Sequence, residues 1–408
     1  MTPPHDASSA PRRRLLVFDL AVAAASPAGS CVLAEVLGLA DTHDVTVVSA
    51  QCEAASHPHV RWLRVPLPAR PLVLRYLTFR LAAPLVVAWH RLRGLQRHDW
   101  VQTTQGQVPG ADIAYAHYCH RGYLQGPWRT SPVRGLRRVL RRMNHGFNAW
   151  CEAGAFRRAR CIVVPSKGLA RELAEVYPDA AAKVQTLPNP VAVERWQRPA
   201  DFDRGAFRAR HGIPGDATLF VFVALGDFAR KGMGLILPAL AAQADRPVRL
   251  LVVGGRGGEV EETRRAAAQA GVADRVHFVG LQSQVAPFLW ASDALVFPSA
   301  YEIFSLVTLQ AAAAGLPLIV RRGLHGAEEV LVDGETGFAV EREAGAVAAA
   351  MRQIADDPRA AAQMGERAAQ LVQRYSTPAF VARWRRLYAE LDATGPEPAP
   401  AHAGRPGA

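Results

Sequence analysis

The sequence predicts an α/β fold with two domains, each built on a parallel β-sheet. A chain of 408 residues with 50% hydrophobic content is too long for a single ordinary hydrophobic core. It suggests two domains of roughly 100 to 200 residues each. Short apolar runs typical of buried strands alternate along it with helical patterns. Residues 293–320 show this best, because a strand leads into a polar turn, a helix that stops at Gly315 and another strand. This βαβ unit indicates parallel strands.

The chain divides into five predicted segments. Residues 14–188 form a basic first domain, and residues 189–376 form a second domain. Residues 377–392 have the pattern of an amphipathic helix that packs back on the first domain. Residues 1–13 and 393–408 are rich in Pro and Ala and are predicted to be disordered tails.

Seven strands and several helices are predicted in the first domain. A tight loop at residues 26–30 joins the first strand to the first helix, and Ser166 caps a later helix. Pro84 is expected to break residues 70–97 into two helices. The strands lie at 14–20, 44–49, 60–65, 100–103, 112–116, 161–165 and 183–187, and the other helices at 31–39, 133–150 and 166–176.

The second domain repeats the alternation of strands and helices. A linker that contains Asn189 precedes it. Its strands are predicted at 219–225, 249–253, 275–279, 293–298 and 316–320, with helices at 283–290 and 305–314, two more between 344 and 375, and the last at 377–391.

Positive charge is concentrated in the first domain. The chain has a net charge of +12, and residues 61–150 carry fifteen Arg against the acids Asp99 and Asp112, which calls for an anionic partner. Residues 70–97 and 133–150 are both basic and apolar, without an uncharged run of the roughly 18 residues that span a bilayer. Their apolar faces either belong to the domain's own core or lie on an anionic membrane surface. We find no nucleic-acid-binding motif and expect no nucleic acid partner.

The five cysteines form no CxxC pair, which argues against a disulfide framework or a zinc site and favours a reducing, cytoplasmic location. Residues 12–25 admit a secretory-signal interpretation, since three Arg precede an apolar run. Asp19 interrupts that run, and the same residues suit the first strand and loop of a domain. We prefer the second interpretation.

Residues 298–321 predict a ligand site. Glu302 stands where a strand ends and a helix begins, and Gln310 follows eight residues later, roughly 12 Å further along at about 1.5 Å per residue. Backbone N–H groups of the first helical turn, near residues 304–307, lie between these two and suit an anion. A polar group, a phosphate site and a second polar group together match a nucleotide-sugar.

This stretch resembles the donor-binding segment of the retaining glycosyltransferases of family four, whose pattern runs Pro-Ser-x-x-Glu-x-Phe-Gly-Leu-x-x-x-Glu. Ser305 replaces the family's Gly, and Gln310 replaces its second Glu. The resemblance implies a GT-B fold, in which two Rossmann-like domains with parallel sheets face a cleft. The basic first domain is also similar to that of lipopolysaccharide core glucosyltransferases.

The resemblance assigns roles to single residues. Glu302, His117, Arg230 and Lys231 become the candidate catalytic residues, with His120 and Arg121 as second choices for the position of His117. No metal ligand and no cofactor beyond the nucleoside-diphosphate sugar co-substrate are implied, and we take the DxD sequence at residues 201–203 as a coincidence. The candidate donor-binding residues are Gly29, Arg230, Lys231, Gly232, Gly254, Arg256, Gly280, Leu281, Glu302, Phe304, Ser305, Leu306 and Gln310.

We therefore predict an enzyme that transfers a hexose, with retention and without a metal, from a nucleotide-sugar donor to a glycan or glycolipid acceptor. Lipopolysaccharide or another surface polysaccharide is the expected product. The expected location is peripheral, on the inner face of a bacterial cytoplasmic membrane. Two alternatives remain open, namely a sugar-nucleotide epimerase of the same fold and a non-catalytic nucleotide-sugar-binding module.

Overall fold

The computed structural model describes residues 12–69, 72–130 and 135–394. The first domain contains a sheet of seven parallel strands, β1 (Arg13–Phe18), β2 (His43–Ser49), β3 (Val60–Arg64), β4 (Trp100–Thr104), β5 (Ile113–Tyr115), β6 (Cys161–Val164) and β7 (Val184–Thr186). Their order is β3-β2-β1-β4-β5-β6-β7. The strand order reverses between β1 and β4, and open α/β sheets bind ligands at such a switch point.

The second domain has a sheet of six parallel strands, β8 (Thr218–Ala224), β9 (Val248–Gly254), β10 (Val276–Gly280), β11 (Ala294–Phe297), β12 (Leu318–Arg321) and β13 (Gly337–Val340). Their order is β10-β9-β8-β11-β12-β13. The switch point therefore lies between β8 and β11. The strands are apolar along nearly their whole length and mostly buried, as expected where both faces of a parallel sheet are covered.

Helices connect the strands in both domains. The first domain has α1 (Pro27–Leu39), α2 (Leu72–Leu92), α3 (His120–Gln125), α4 (Gly135–Arg158) and α5 (Lys167–Val176). The rest of the chain has α6 (Val193–Trp196), α7 (Arg204–Arg210), α8 (Phe228–Lys231), α9 (Met233–Ala241), α10 (Gly257–Gln269), α11 (Ala286–Trp290), α12 (Leu306–Ala313), α13 (Ala344–Asp356), α14 (Pro358–Val372) and α15 (Thr377–Thr394).

The last helix, α15, lies on the first domain. Trp384 and Tyr388 are buried in the core formed by β1, β2 and α1. Arg385 donates to the carbonyl of Gly38 at 2.6 Å, and Trp100 Nε1 donates to Asp392 at 2.8 Å. The chain thus returns to its first domain after it has completed the second. Most of the predicted tails, residues 1–11 and 395–408, lie outside the described residues.

Two local predictions are wrong. Residues 72–92 form the single helix α2 with Pro84 inside it; the inner face, Phe79 and Val87, packs on the sheet and holds the helix together despite the missing backbone hydrogen bond. The helix α1 begins at Pro27, after the N-cap Ser26. Gly29 therefore lies in the first helical turn and not in a loop.

Helices α2 and α4 expose many large apolar side chains. Most of the large hydrophobic side chains that are exposed in the described residues belong to these two helices. The helices contact each other, and the Arg80 guanidinium lies 4.9 Å from the ring centroid of Trp150. We call this the α2–α4 surface and define it by Leu74, Leu77, Leu81, Leu85 and Trp89 of α2 and Leu136, Leu140, Met143 and Trp150 of α4.

Candidate active site

Arg230, Lys231 and Glu302 form one cluster at the switch point of the second sheet. Lys231 Nζ forms an ion pair with Glu302 Oε1, and Arg230 Nη1 lies 3.3 Å from the same oxygen. The hydroxyl of Ser299 donates to it at 2.9 Å. Burial lowers the pKa of Lys231, and the carboxylate of Glu302 opposes that shift. One carboxylate oxygen of Glu302, a predicted catalytic residue, thus pairs with both of the cations that are predicted to bind phosphate.

The turn after β8 packs directly on the turn after β11, and this brings the cluster together. Gly232 has a φ of 95°, and a Cβ at this position would lie 2.6 Å from the carbonyl oxygen of Pro298. The N–H of Ala300 donates to the carbonyl of Arg230 at 2.8 Å. Only glycine fits such an approach in this backbone region.

The glycine-rich loop after β9 adjoins the same turn. Gly254 has a φ of 102°, and a Cβ there would lie 2.0 Å from the carbonyl oxygen of Ala224. Arg256 is exposed at the N-cap of α10. The carboxylate of Glu259 accepts hydrogen bonds from the N–H groups of Asp227 and Arg256. Glu259, which sequence reasoning missed, therefore ties the β9 loop to the β8 turn.

The remaining donor-binding candidates lie on other secondary-structure elements, namely β10, α12 and α1. Gly280 and Leu281 lie at the end of β10, which β9 and β8 separate from β11. Ser305 is buried at the N-cap of α12, and its hydroxyl has no hydrogen-bond partner among the described residues. Gln310 is half-buried further along α12. Gly29 packs in α1 against the carbonyl of Ala21.

A cavity of about 370 Å³ lies between the two domains. Asp19, Gln107 and His117 line it from the first domain, and Phe304 and Leu306 line it from the second. The Ala21 N–H donates to Asp19 Oδ1 at 2.7 Å, yet burial raises the pKa of Asp19 to about 6. Polar side chains from the first domain thus face the domain that carries the donor-binding candidates.

Of the three alternatives, His117 lies nearest to β5, two residues after the strand ends, and it lines the cavity. Its ring packs on Tyr115 with centroids 4.0 Å apart, and burial lowers the pKa of His117 to about 3. His120 also lines the cavity, where its Nδ1 lies 2.8 Å from Nδ1 of His145. The Arg121 guanidinium instead stacks over Tyr177 at 4.9 Å. Neutral imidazoles therefore border the cavity at ordinary pH.

The two domains meet beside the Glu302 turn. The Tyr301 hydroxyl donates to the carboxylate of Glu172 in α5 at 3.3 Å, and Ser166 Oγ donates to the carbonyl of Ile303 at 2.9 Å. Arg171 forms an ion pair with Glu328 at 2.7 Å. Burial raises the pKa of Glu172 to about 7. These contacts connect the Glu302 turn to the first domain.

Sequence reasoning missed Asp19, Gln105, Glu152 and Glu172. Asp19 interrupts an apolar run and follows the end of β1, and an acid at the end of a strand is itself a signal for a site. Glu152 is the only acid in α4, and a lone acid in a basic helix was a second available signal. Within the described residues, no group of three or more His, Cys, Asp or Glu side chains is arranged to hold a metal ion.

Comparison with known proteins identifies the family. A model described as Glycosyltransferase Family 4 matches residues 28–195, and one described as Glycosyl transferases group 1 matches residues 203–371. The D-inositol 3-phosphate glycosyltransferase of Streptomyces avermitilis is 32% identical over 301 residues, which are 67% of this chain and 64% of that protein. Its counterpart from Streptomyces scabiei is 30% identical over 320 residues, 71% of each chain. The chain belongs to the family 4, group 1 glycosyltransferases.

Solved structures show the same fold. Sucrose-phosphate synthase from Thermosynechococcus elongatus superposes with a TM-score of 0.72 at 22% identity, over 94% of this chain and 100% of that chain. WaaG, a glycosyltransferase involved in lipopolysaccharide biosynthesis, gives 0.69 at 17% identity over 91% and 99%. Anabaena HepE in complex with UDP-glucose gives 0.65 at 18% identity over 93% and 100%. The predicted GT-B fold, with two Rossmann-like domains, is confirmed.

Proposed function

We propose that this protein transfers a hexose from a nucleoside-diphosphate sugar to a hydroxyl group of a membrane-associated glycan or glycolipid, with retention at the anomeric carbon. The cluster of Arg230, Lys231 and Glu302 at the switch point of the second sheet carries the proposal. Family membership and the HepE complex with UDP-glucose support a donor of this class.

Each residue of the cluster has a role in the proposed reaction. The bond between the anomeric carbon and the diphosphate oxygen breaks, the acceptor oxygen forms the new bond, and nucleoside diphosphate and a proton are released. Arg230 and Lys231 stabilise the departing diphosphate, together with the N–H groups at the start of α12. Glu302 binds hydroxyls of the sugar and favours positive charge at the anomeric carbon. His117 contacts the sugar or the acceptor in the cavity.

The proposal is tested with the purified chain and a panel of nucleotide-sugars. We expect one donor to raise the melting temperature and to be slowly hydrolysed without acceptor. Lys231→Ala should lower kcat by about 10²- to 10³-fold, the usual cost of one group that stabilises developing charge. Arg359→Ala, which removes a cation from the exposed part of α14, should change nothing, and turnover should persist in EDTA. Interconversion of donor sugars would instead support an epimerase, and binding without any turnover would support a binding module.

We further propose that the α2–α4 surface lies on an anionic membrane, at the inner face of a bacterial cytoplasmic membrane, where the acceptor is anchored. Leu85 and Trp89 of α2 are 69% and 51% exposed, whereas Phe79 on the opposite face is fully buried. By length and composition α2 could cross a bilayer, but its inner face is occupied by the sheet. An apolar helix face flanked by arginines suits the interface of anionic lipids. Lipopolysaccharide core or another lipid-linked glycan is the proposed acceptor.

A vesicle-binding assay tests whether the α2–α4 surface binds an anionic membrane. We expect the protein to sediment with vesicles that contain 30% phosphatidylglycerol and to be released progressively as salt rises. The double variant Leu81→Ser, Leu85→Ser should lose most of this binding and keep donor hydrolysis. Leu225→Ser, which changes an exposed leucine of the second domain, is the matched control. Equal binding of the double variant, or binding insensitive to salt, would contradict the proposed surface.

A further inference from the structure

The segment after β5, residues 117–120, carries two histidines of the cavity and is held by a turn with an unusual backbone. Gln105, the first residue after β4, has a φ of 56° and is one of two non-glycine residues with positive φ in the described ranges. Gly106 follows with a φ of 65°, and a Cβ there would lie 3.0 Å from Cβ of Ala155 in α4. Such a conformation persists where the surroundings impose it, and it is common at functional sites.

The side chain of Gln105 extends the hydrogen bonding between β4 and β5 beyond the strands. Its backbone N–H donates to the carbonyl of Tyr115 at 2.9 Å. Its Oε1 then accepts the N–H of His117 at 2.8 Å, and its Nε2 donates to the carbonyl of Tyr118 at 2.7 Å. The amide therefore acts as one more peptide group of the ladder. An amide accepts through its oxygen and donates through its nitrogen at the same time, which an ionised carboxylate cannot do.

Glu152 of α4 fixes the other end of the segment. Its side chain is fully buried, and Gln105 Nε2 donates to its Oε1 at 2.9 Å. The N–H of His120 donates to the same oxygen at 2.8 Å, and the hydroxyl of Tyr177 donates to Oε2 at 3.2 Å. All of these partners are donors. In Glu152→Gln, the NH₂ group of the new amide would face one of these donors and could not accept its hydrogen bond.

We propose that Gln105 and Glu152 are positioning residues that hold the 117–120 segment, and through it His117, in place for the reacting hydroxyl of the acceptor. This inference rests on the proposed function. Neither residue is assigned to the chemistry, since each acts on His117 or His120 through the backbone. A small displacement of a reacting or aligning group is enough to slow an enzyme by about 10²-fold.

The neutral state of His117 offers a second observable. Burial lowers the pKa of His117 to about 3. If the segment loosens, water reaches the imidazole and the pKa of His117 moves towards its ordinary value of about 6.5. An effect confined to overall stability would not move it.

The first experiment compares Gln105→Glu with Gln269→Glu, the same chemical change at an exposed residue of α10. A carboxylate at position 105 still accepts from His117 but cannot donate to Tyr118. We expect kcat for transfer to fall at least tenfold, with donor affinity within twofold of wild type and donor hydrolysis without acceptor retained. The control should match wild type. A folded Gln105→Glu enzyme with kcat within twofold of wild type would overturn the proposal.

The second experiment does not depend on activity. NMR titration of histidine labelled with ¹³C at Cε1, with the signal assigned by His117→Asn, measures the pKa of His117 in wild type, Gln105→Glu and Glu152→Gln. We expect both variants to raise it by at least one pH unit. An unchanged value in either folded variant would overturn the proposal. Were no donor to support transfer by wild type, the proposed function would fail, and the titration would still decide whether these residues hold the segment.

Discussion

At the scale of single residues, the candidate active site is a cluster of paired charges. Arg230 and Lys231 pair with Glu302, and Arg230 also pairs with Asp227 at 2.6 Å. A partly buried cation without a partner is costly, so the paired arrangement suits the free protein. In the proposed reaction, an incoming diphosphate would supply new anionic partners for the same cations and leave Glu302 available to the sugar.

Gln310 is the residue whose replacement should improve donor binding. A carboxylate accepts hydrogen bonds from both ribose hydroxyls, and bonds to charged acceptors are stronger than neutral ones by about 1 kcal/mol. We expect Gln310→Glu to lower Kd for the nucleoside diphosphate roughly five- to tenfold with little change in kcat. Isothermal titration calorimetry measures this, with Gln269→Glu as control. An unchanged Kd would show that Gln310 does not contact the ribose.

At the scale of secondary-structure elements, α5 links one domain to the other. Ser166 caps this helix by accepting the N–H of Leu169 at 3.1 Å, and its hydroxyl also donates to Ile303 in the second domain. Ser26 caps α1 in the same way, by accepting the N–H of Gly29 at 3.2 Å. Ser166 therefore makes one contact more than Ser26, and this additional contact joins the two domains.

Comparison of alanine variants at the two caps gives the free energy that this contact contributes. We expect Ser26→Ala to lower the free energy of unfolding by about 1 kcal/mol, the usual cost of a lost cap. Ser166→Ala should cost about 1 kcal/mol more, because the half-buried carbonyl of Ile303 also loses its donor. Urea denaturation measures both, and Ser166→Thr should recover much of the loss. Equal losses for the two alanine variants would show that the contact with Ile303 contributes nothing.

At the scale of the whole molecule, two sheets place their switch points on opposite sides of one cleft. The β1/β4 switch presents Asp19 and Gln105, and the β8/β11 switch presents Lys231 and Glu302. Contact between the domains buries the carboxyl group of Glu172 against Tyr301, and burial raises the pKa of Glu172 to about 7.

Glu172 should make the protein less stable as pH rises towards neutral. It keeps a proton in the folded state that the unfolded chain releases near pH 4.5, so the stabilisation is complete below pH 4.5 and is lost progressively as pH rises to about 7. We expect the free energy of unfolding to fall between about pH 4.5 and pH 7, by at most about 1.4 kcal/mol per pH unit. Glu172→Gln should flatten this part of the profile. A wild-type profile that is flat or rises with pH would contradict this.

Much of the fold and part of the site follow from the sequence alone. Strand and helix periods are local, so the alternation of elements and the two parallel sheets could be predicted. Arg230, Lys231 and Glu302 could be placed at strand ends for the same reason. Gln105 and Glu152 could not be paired, because 47 residues separate them and only the packing of α4 beside the β4 turn brings them together.

The tertiary structure alone decided two further points. Pro84 lies inside one helix because the packing of Phe79 and Val87 outweighs a lost backbone hydrogen bond. The apolar faces of α2 and α4 were compatible with a buried core or with a membrane surface. A pattern of apolar residues predicts which face of a helix avoids water, but it does not predict what covers that face. In the folded chain the side chains of Leu81, Leu85 and Trp89 are exposed.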